Sequence, residues 1–187
     1  TDDFFDDRYP SFWNNDQIIF SSNRTTDSVF YAKKYLSHKP AEHFDLYSIG
    51  LEKAEKAQRL TNTALADETH AQHFSNNEFT YISDQSGIKN RYRGFLDSAI
   101  VSIDTVIHYR YFTQTQALSG YARGVTELDY LENEQLLVEH IFYDGKDRFV
   151  MKSGDEATAM YEPLSSNYRQ MLETPLVKAE ATEEVID

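Results

Sequence analysis

The feature that most constrains this chain is that it repeats itself. Phe12-Trp13-Asn14-Asn15-Asp16-Gln17-Ile18-Ile19-Phe20-Ser21-Ser22 aligns without a gap on Phe74-Ser75-Asn76-Asn77-Glu78-Phe79-Thr80-Tyr81-Ile82-Ser83-Asp84, an offset of 62 residues (74 − 12). Each copy reads as an aromatic, a polar turn and a β-rich run. Asn tolerates the left-handed backbone of a tight hairpin, and aromatic and β-branched residues favour strands. A looser third copy runs from Asp129 to Val138. Two further markers recur. Gly87-Ile88-Lys89-Asn90-Arg91-Tyr92 returns, one residue shorter, as Gly145-Lys146-Asp147-Arg148-Phe149. Gln58-Arg59-Leu60-Thr61-Asn62 returns as Gln116-Ala117-Leu118-Ser119-Gly120, an offset of 58 (116 − 58), with Glu162-Pro163-Leu164-Ser165-Ser166-Asn167 as a third instance.

These markers predict four short strands per unit. In the first unit they are Tyr9 to Phe12, Gln17 to Ser22, Phe44 to Leu51 and Ala57 to Leu60. In the second they are Ala71 to Phe74, Phe79 to Ser83, Arg91 to Leu96 and His108 to Thr113. Leu51 to Leu60 also contains good helix formers, but within the repeat it reads as a charged hairpin. Short strands between turn signals give an all-β fold, and four-stranded antiparallel units repeated along a chain give β-propeller blades. The units fall at about 6–69, 70–128 and 129–172, followed by an acidic tail or linker at 173–187. A spacing near 60 exceeds the roughly 40–50 residues of an ordinary blade. The excess is expected in surface loops at Thr25 to His43 and Asp97 to Ile107. Propellers close with about four to eight blades. About three blades make an incomplete ring, so flanking domains or self-association are expected to complete it. The opening Thr1-Asp2-Asp3 lacks an initiator Met and a signal-like region, as expected of a mature or excised segment.

Composition excludes several function classes. With 18 basic and 31 acidic residues the net charge is −13, which repels phosphate backbones and anionic membrane surfaces. Neither nucleic acid nor direct membrane insertion is expected. The 187 residues contain no cysteine, so thiol catalysis, disulfides and thiolate metal sites are absent. At 40% apolar and 14% aromatic, the chain is too hydrophobic to be disordered.

Tyr9-Pro10-Ser11-Phe12-Trp13, Ile18-Ile19-Phe20-Ser21-Ser22-Asn23-Arg24, Phe44-Asp45-Leu46-Tyr47 and Arg59-Leu60-Thr61-Asn62 together resemble the repeat of TolB-like β-propellers. Phe74, Ile82-Ser83-Asp84, Gly87 and Asn90-Arg91-Tyr92 keep that skeleton in the second unit, with Asp-Leu-Tyr changed to Asn-Arg-Tyr. Only the Gly-x-x-Arg-Phe and Pro-Leu-Ser pieces remain in the third. The likeness covers about Asp6 to Leu172. It implies a non-catalytic protein-interaction scaffold of the bacterial envelope, periplasmic or otherwise extracytoplasmic. The alternative it implies is the gating propeller of a prolyl-oligopeptidase-type serine peptidase, with the catalytic domain elsewhere. Tyr47, Tyr81, Tyr92 and Phe149 are expected as core between blades.

No catalytic residue is assigned. Gly-x-Ser-x-Gly, the phosphate-loop pattern and Gly-x-Gly-x-x-Gly are all absent. No cofactor or metal is assigned either. His70-x-x-His73 would point to opposite faces of a regular strand, so polar contacts at the entry to the second unit are expected there. Asp2, Asp3, Asp6 and Asp7 lack the spacing of a calcium loop and read as solvated acid. The expected partner-binding residues lie on turns and on the first insertion: Asn23, Arg24, Phe30, Tyr31, Tyr35, Asp84 and Gln85. Phe30, Tyr31 and Tyr35, beside Lys33, Lys34 and His38, make an aromatic and basic loop on an acidic protein.

Overall fold

The computed structural model describes residues 1–29, 39–52, 56–75, 77–103 and 107–173, and within them every side chain except those at 102, 103 and 107–110. The chain is all-β, with 54% strand against 9% helix. It forms three antiparallel sheets in sequence, none of them closed. The first contains β1 (Asp7–Asn14), β2 (Gln17–Ser22), β3 (Asp45–Gly50) and β4 (Gln58–Arg59) in that order. The second contains β5 (Glu68–Ser75), β6 (Glu78–Ser83), β7 (Asn90–Ile103) and β8 (Ile107–Ala117). The third has β9 (Val125–Leu131), β10 (Leu136–Tyr143) and β11 (Lys146–Ser153), with β10 central.

The repeat is real, but its register is one residue shorter than the sequence alignment. Asn14 pairs with Gln17 and Ser75 with Glu78, so Trp13 corresponds to Phe74 at an offset of 61 (74 − 13). A one-residue slip in a strand moves every side chain to the other face. The aromatic that the alignment matched to Phe74 is Phe12, which is 67% exposed, whereas Trp13 and Phe74 are both buried. The run of two asparagines misled the alignment because turn residues carry no facing information.

The hydrogen bonds that staple the first two sheets repeat as well. Asn23 Oδ1 accepts the Asp6 N–H at 2.9 Å, as Asp84 Oδ1 accepts the Asp67 N–H at 2.8 Å. The Thr61 hydroxyl accepts the Leu46 N–H and the Ser119 hydroxyl accepts the Arg91 N–H, both at 2.8 Å. Asp45 Oδ1 accepts from the Thr63 N–H and Asn90 Oδ1 from the Tyr121 N–H. The change from Asp-Leu-Tyr to Asn-Arg-Tyr therefore keeps the acceptor that closes the sheet. Even a strained bulge recurs. Tyr9 and His70 both have positive φ, 52° and 53°, at matching irregularities of β1 and β5. Their rings stack at 3.8 Å.

The sheets stack on one another through their first strands, β1 against β5 and β5 against β9. The junctions share one cross-link. The Glu68 N–H donates to the Phe44 carbonyl at 2.8 Å, and the Val125 N–H donates to the Lys89 carbonyl at 2.8 Å. Between the first two sheets lie Trp13, Ile19, Leu46, Leu60, Phe79 and Tyr81. Between the second and third lie Ile82, Val125, Leu128 and Ile141. The opposite face of the first sheet, with Phe20 and Tyr47, is closed by Val29 and Ala57. Gly94 sits opposite Phe79, and a Cβ there would lie 2.4 Å from the ring.

Several expectations need correction. Asp97 to Ile107 is not a loop insertion: β7 and β8 continue through most of it as one long hairpin, in keeping with the β-branched run Ile100-Val101. Glu162 to Asn167 does not close the third sheet, since no strand spans it. That segment turns back to the second sheet, where the Tyr161 N–H donates to the Ala117 carbonyl and the Ser166 N–H to the Ser86 carbonyl. Tyr47, Tyr81 and Tyr92 are buried as expected, but Phe149 is 74% exposed. Residues 53–55 of the charged segment lie outside the described residues, and so do 174–187 of the tail.

Candidate functional site

Asn23 and Asp84 occupy the same turn position after β2 and β6, and Arg24 and Gln85 occupy the next. At both turns the serine ending the strand, Ser22 or Ser83, accepts the N–H of the second residue at 3.2 Å. Asn23 and Asp84 are thus committed to holding the chain just before each first strand.

Arg24 is spent inside the fold. Its guanidinium makes two bonds to Asp7, at 2.8 and 2.9 Å, and pairs with Asp3 at 3.4 Å. It also donates to the Ser22 hydroxyl and the Ser28 carbonyl, and it lies against the rings of Phe5, Phe20 and Tyr47. The Tyr47 hydroxyl donates to the Arg24 carbonyl. Burial alone would raise the Asp7 carboxyl, but the bonds from Arg24 and from Ser22 and Thr1 hold it below its ordinary value. Arg24 therefore offers a partner no surface, and Asp3 and Asp7 are structural counterions rather than solvated acid. Of the expected binding residues, Gln85 is half-buried and lines a cleft of about 460 Å³ with Tyr92, Tyr161 and Arg169. Arg169 reaches over from the helical segment at 167–173 and donates to the Asp84 carbonyl. Phe30, Tyr31 and Tyr35 lie outside the described residues.

The sheet junctions hold ionisable groups that the repeat alone did not flag. Between the second and third sheets, Arg91 and Glu139 are both fully buried and bonded at 2.9 Å. Lys152 at 2.9 Å and the Tyr121 hydroxyl at 2.7 Å complete the Glu139 carboxylate. Burial raises that carboxyl, but Lys152, Arg91 and Tyr121 together hold it low. At the first junction Glu68 is fully buried. Its Oε1 accepts from the Thr63 hydroxyl at 2.8 Å, and its Oε2 has no hydrogen-bond partner. Burial pushes its carboxyl up to about 7. Arg91, Glu139 and Glu68 are buried at the sheet junctions, where they fasten one sheet to the next.

His70 and His73 do not converge. The His70 ring stacks on Tyr9, while His73 Nε2 lies 3.1 Å from Glu132. His73 and Glu132 share an open cleft of about 590 Å³ with Phe12, Trp13, Asn14 and Asn15, at the ends of the first strands. Among the described residues, no group of three or more His, Cys, Asp or Glu side chains is placed to hold a metal ion.

One chain of side chains resembles a nucleophile with a base and an orienting acid. The Thr126 hydroxyl lies 2.7 Å from His140 Nδ1, and His140 Nε2 lies 3.1 Å from Asp147. The same hydroxyl donates to the His140 carbonyl. The row lies on an open sheet face where Thr126 and Asp147 are both exposed, so water reaches the hydroxyl.

Among the described residues, that face is left uncovered. Side chains alternate along β10: Leu137, Glu139 and Ile141 point to the second sheet, and Leu136, Val138, His140 and Phe142 point away. Cross-strand partners place Phe149 and Met151 of β11 and Leu131 of β9 on the outward side. Phe149 stacks on His140 at 5.1 Å, and Met151 is 70% exposed. Sequence reasoning missed this surface because Phe149 was read as core. Isolated strands cannot reveal which of two apolar faces is covered. No family model matches the chain, and no curated protein matches it.

Proposed function

We propose that this chain is a non-catalytic protein-interaction module, built as stacked blades of the TolB-like propeller type and acting in the bacterial cell envelope. The observation that carries this reading is the exposed apolar face of the third sheet, with Phe142, Phe149 and Met151 uncovered. Soluble proteins rarely leave a contiguous apolar sheet face in water unless something binds it. The repeated strand pattern and the turn-stapling bonds support the blade reading. The docking element is this sheet face rather than the turns at Asn23-Arg24 and Asp84-Gln85.

The test uses the immobilised full chain and its Phe149→Ser/Met151→Ser variant as baits for a bacterial envelope extract. Both positions are exposed, so the variant is expected to fold, checked by circular dichroism. A protein retained by the parent and lost by the variant is the expected result. Identical retention profiles from both baits would overturn the proposal.

A further inference from the structure

The long hairpin of the second sheet breaks the repeat. β6 pairs with β7 only as far as Phe95, and beyond it β7 and β8 run on as a two-stranded ribbon. The first sheet has the two-residue β4 in the place of β8. Two clefts lie between this ribbon and the first sheet. One, of about 340 Å³, has Trp13, Gln17, Asn77, Asp97 and Tyr111 in its walls. The other, of about 380 Å³, has Gln58, Arg59, Asn62, Thr113 and Tyr111. Leu96 and Tyr111 line both, so the two are halves of one groove, and no residue of the third sheet lines either. Each half falls within the roughly 300–1,000 Å³ of ordinary ligand clefts.

The walls offer hydrogen bonds without free charge. Arg59 is bonded to Asp45 and to the Thr61 carbonyl. Asp97 accepts from the Gln114 side chain and the Ser98 N–H, both at 2.7 Å. Gln58, Asn62 and Asn77 are exposed, and their amides bond no other described residue. Two buried groups of the walls have no hydrogen-bond partner either: the Trp13 indole N–H in one half and the Thr113 hydroxyl in the other. Buried polar groups normally find a partner. Between them stands the Tyr111 ring, 63% exposed. Tyr111 and Thr113 pair across the ribbon with Ser98 and Leu96, and Leu96 packs on the core between the first two sheets. The groove therefore presents side chains of a sheet face, where an added peptide strand would need an open backbone edge. An ionic ligand would find no unspent charge, and an apolar one would bury the amides unsatisfied. A sugar ring matches both features, with hydroxyls for the amides and a C–H face for the aromatic ring.

We propose that this groove binds a neutral oligosaccharide, with one sugar ring stacked on Tyr111 and hydroxyls held by the Gln58, Asn62, Asn77 and Thr113 side chains. The site is separate from the outer face of the third sheet, so it is tested apart from the interaction reading. Trp13 is the chain's one tryptophan, so its emission reports the groove directly. The full chain is titrated with cellohexaose, maltohexaose, chitohexaose and mannohexaose, beside oligogalacturonate and a ten-residue peptide of alternating valine and threonine. Ligand at up to about 5 mM detects millimolar dissociation constants. At least one neutral hexasaccharide is expected to change Trp13 emission saturably. Tyr111→Ala, at an exposed position, should weaken that binding about tenfold or more. Thr113→Val removes a hydroxyl that bonds nothing in the protein, so it should weaken binding about threefold or more while leaving the urea midpoint unchanged or higher. No response to any of the four neutral sugars would overturn the proposal, and so would binding that Tyr111→Ala leaves unchanged. Tighter binding of oligogalacturonate than of every neutral sugar would overturn the charge argument and the proposal with it. A response to the peptide alone would assign the groove to a protein strand and overturn it too.

Discussion

Replacing Glu68 with glutamine is expected to change how stability depends on pH. Glu68 is fully buried at the first sheet junction, where Asp45, Arg59 and Tyr81 are the titratable groups around it. Its carboxyl rises from 4.5 to about 7 on folding. Between those values the folded chain holds a proton that the unfolded chain has released. Stability from this group is therefore full below pH 4.5 and falls as pH rises through about 7. That rise, at 1.36 kcal/mol for each step of one in pH, is worth about 3 kcal/mol. Glutamine keeps the shape and has no proton to lose. Urea unfolding of both proteins from pH 4 to pH 8.5 isolates the effect, because titrations that do not couple to Glu68 cancel in the difference. The variant should gain about 3 kcal/mol on the parent across that range, nearly all of it by pH 8. A difference that does not change with pH would refute the argument that Glu68 folds as a neutral acid.

Three further outcomes follow from the packing. Arg24→Ala strands Asp3 and Asp7 beside a buried gap and should cost about 3–5 kcal/mol in urea unfolding. Gly94→Ala drives a methyl group into the Phe79 ring and should cost about 1–3 kcal/mol, read as a lower thermal midpoint. Phe149→Ser touches a residue that is 74% exposed and should change stability by less than about 0.5 kcal/mol, in contrast to a core aromatic.

The β content, the three-unit order and the closing Leu-Thr and Leu-Ser turns were legible because they depend on local chemistry: turn residues, β-branched runs and side-chain acceptors at fixed offsets. The face assignments were less legible. Phe12 and Trp13 are adjacent aromatics, and only pairing to β2 decides which one enters the core. Arg24 reads as a surface cation until Asp3 and Asp7, 21 and 17 residues earlier (24 − 3 and 24 − 7), fold back on it. The strand continuing through Asp97 to Ile103 was legible in Ile100-Val101 but was hidden by the shorter strands of the first unit. The exposed face escaped notice because Phe149 has the composition of core, and among the described residues no sheet lies over it.

One cross-link, used twice, joins the first sheet to the second and the second to the third. Amide hydrogen exchange at Glu68 and Val125, followed by NMR, tests this most directly, because each N–H is the donor that joins one sheet to the next. Both amides should be protected to the same degree as the central strand amides of β2 and β6. Exchange at either position as fast as in the exposed turn at Asp144-Gly145 would contradict the stacked arrangement.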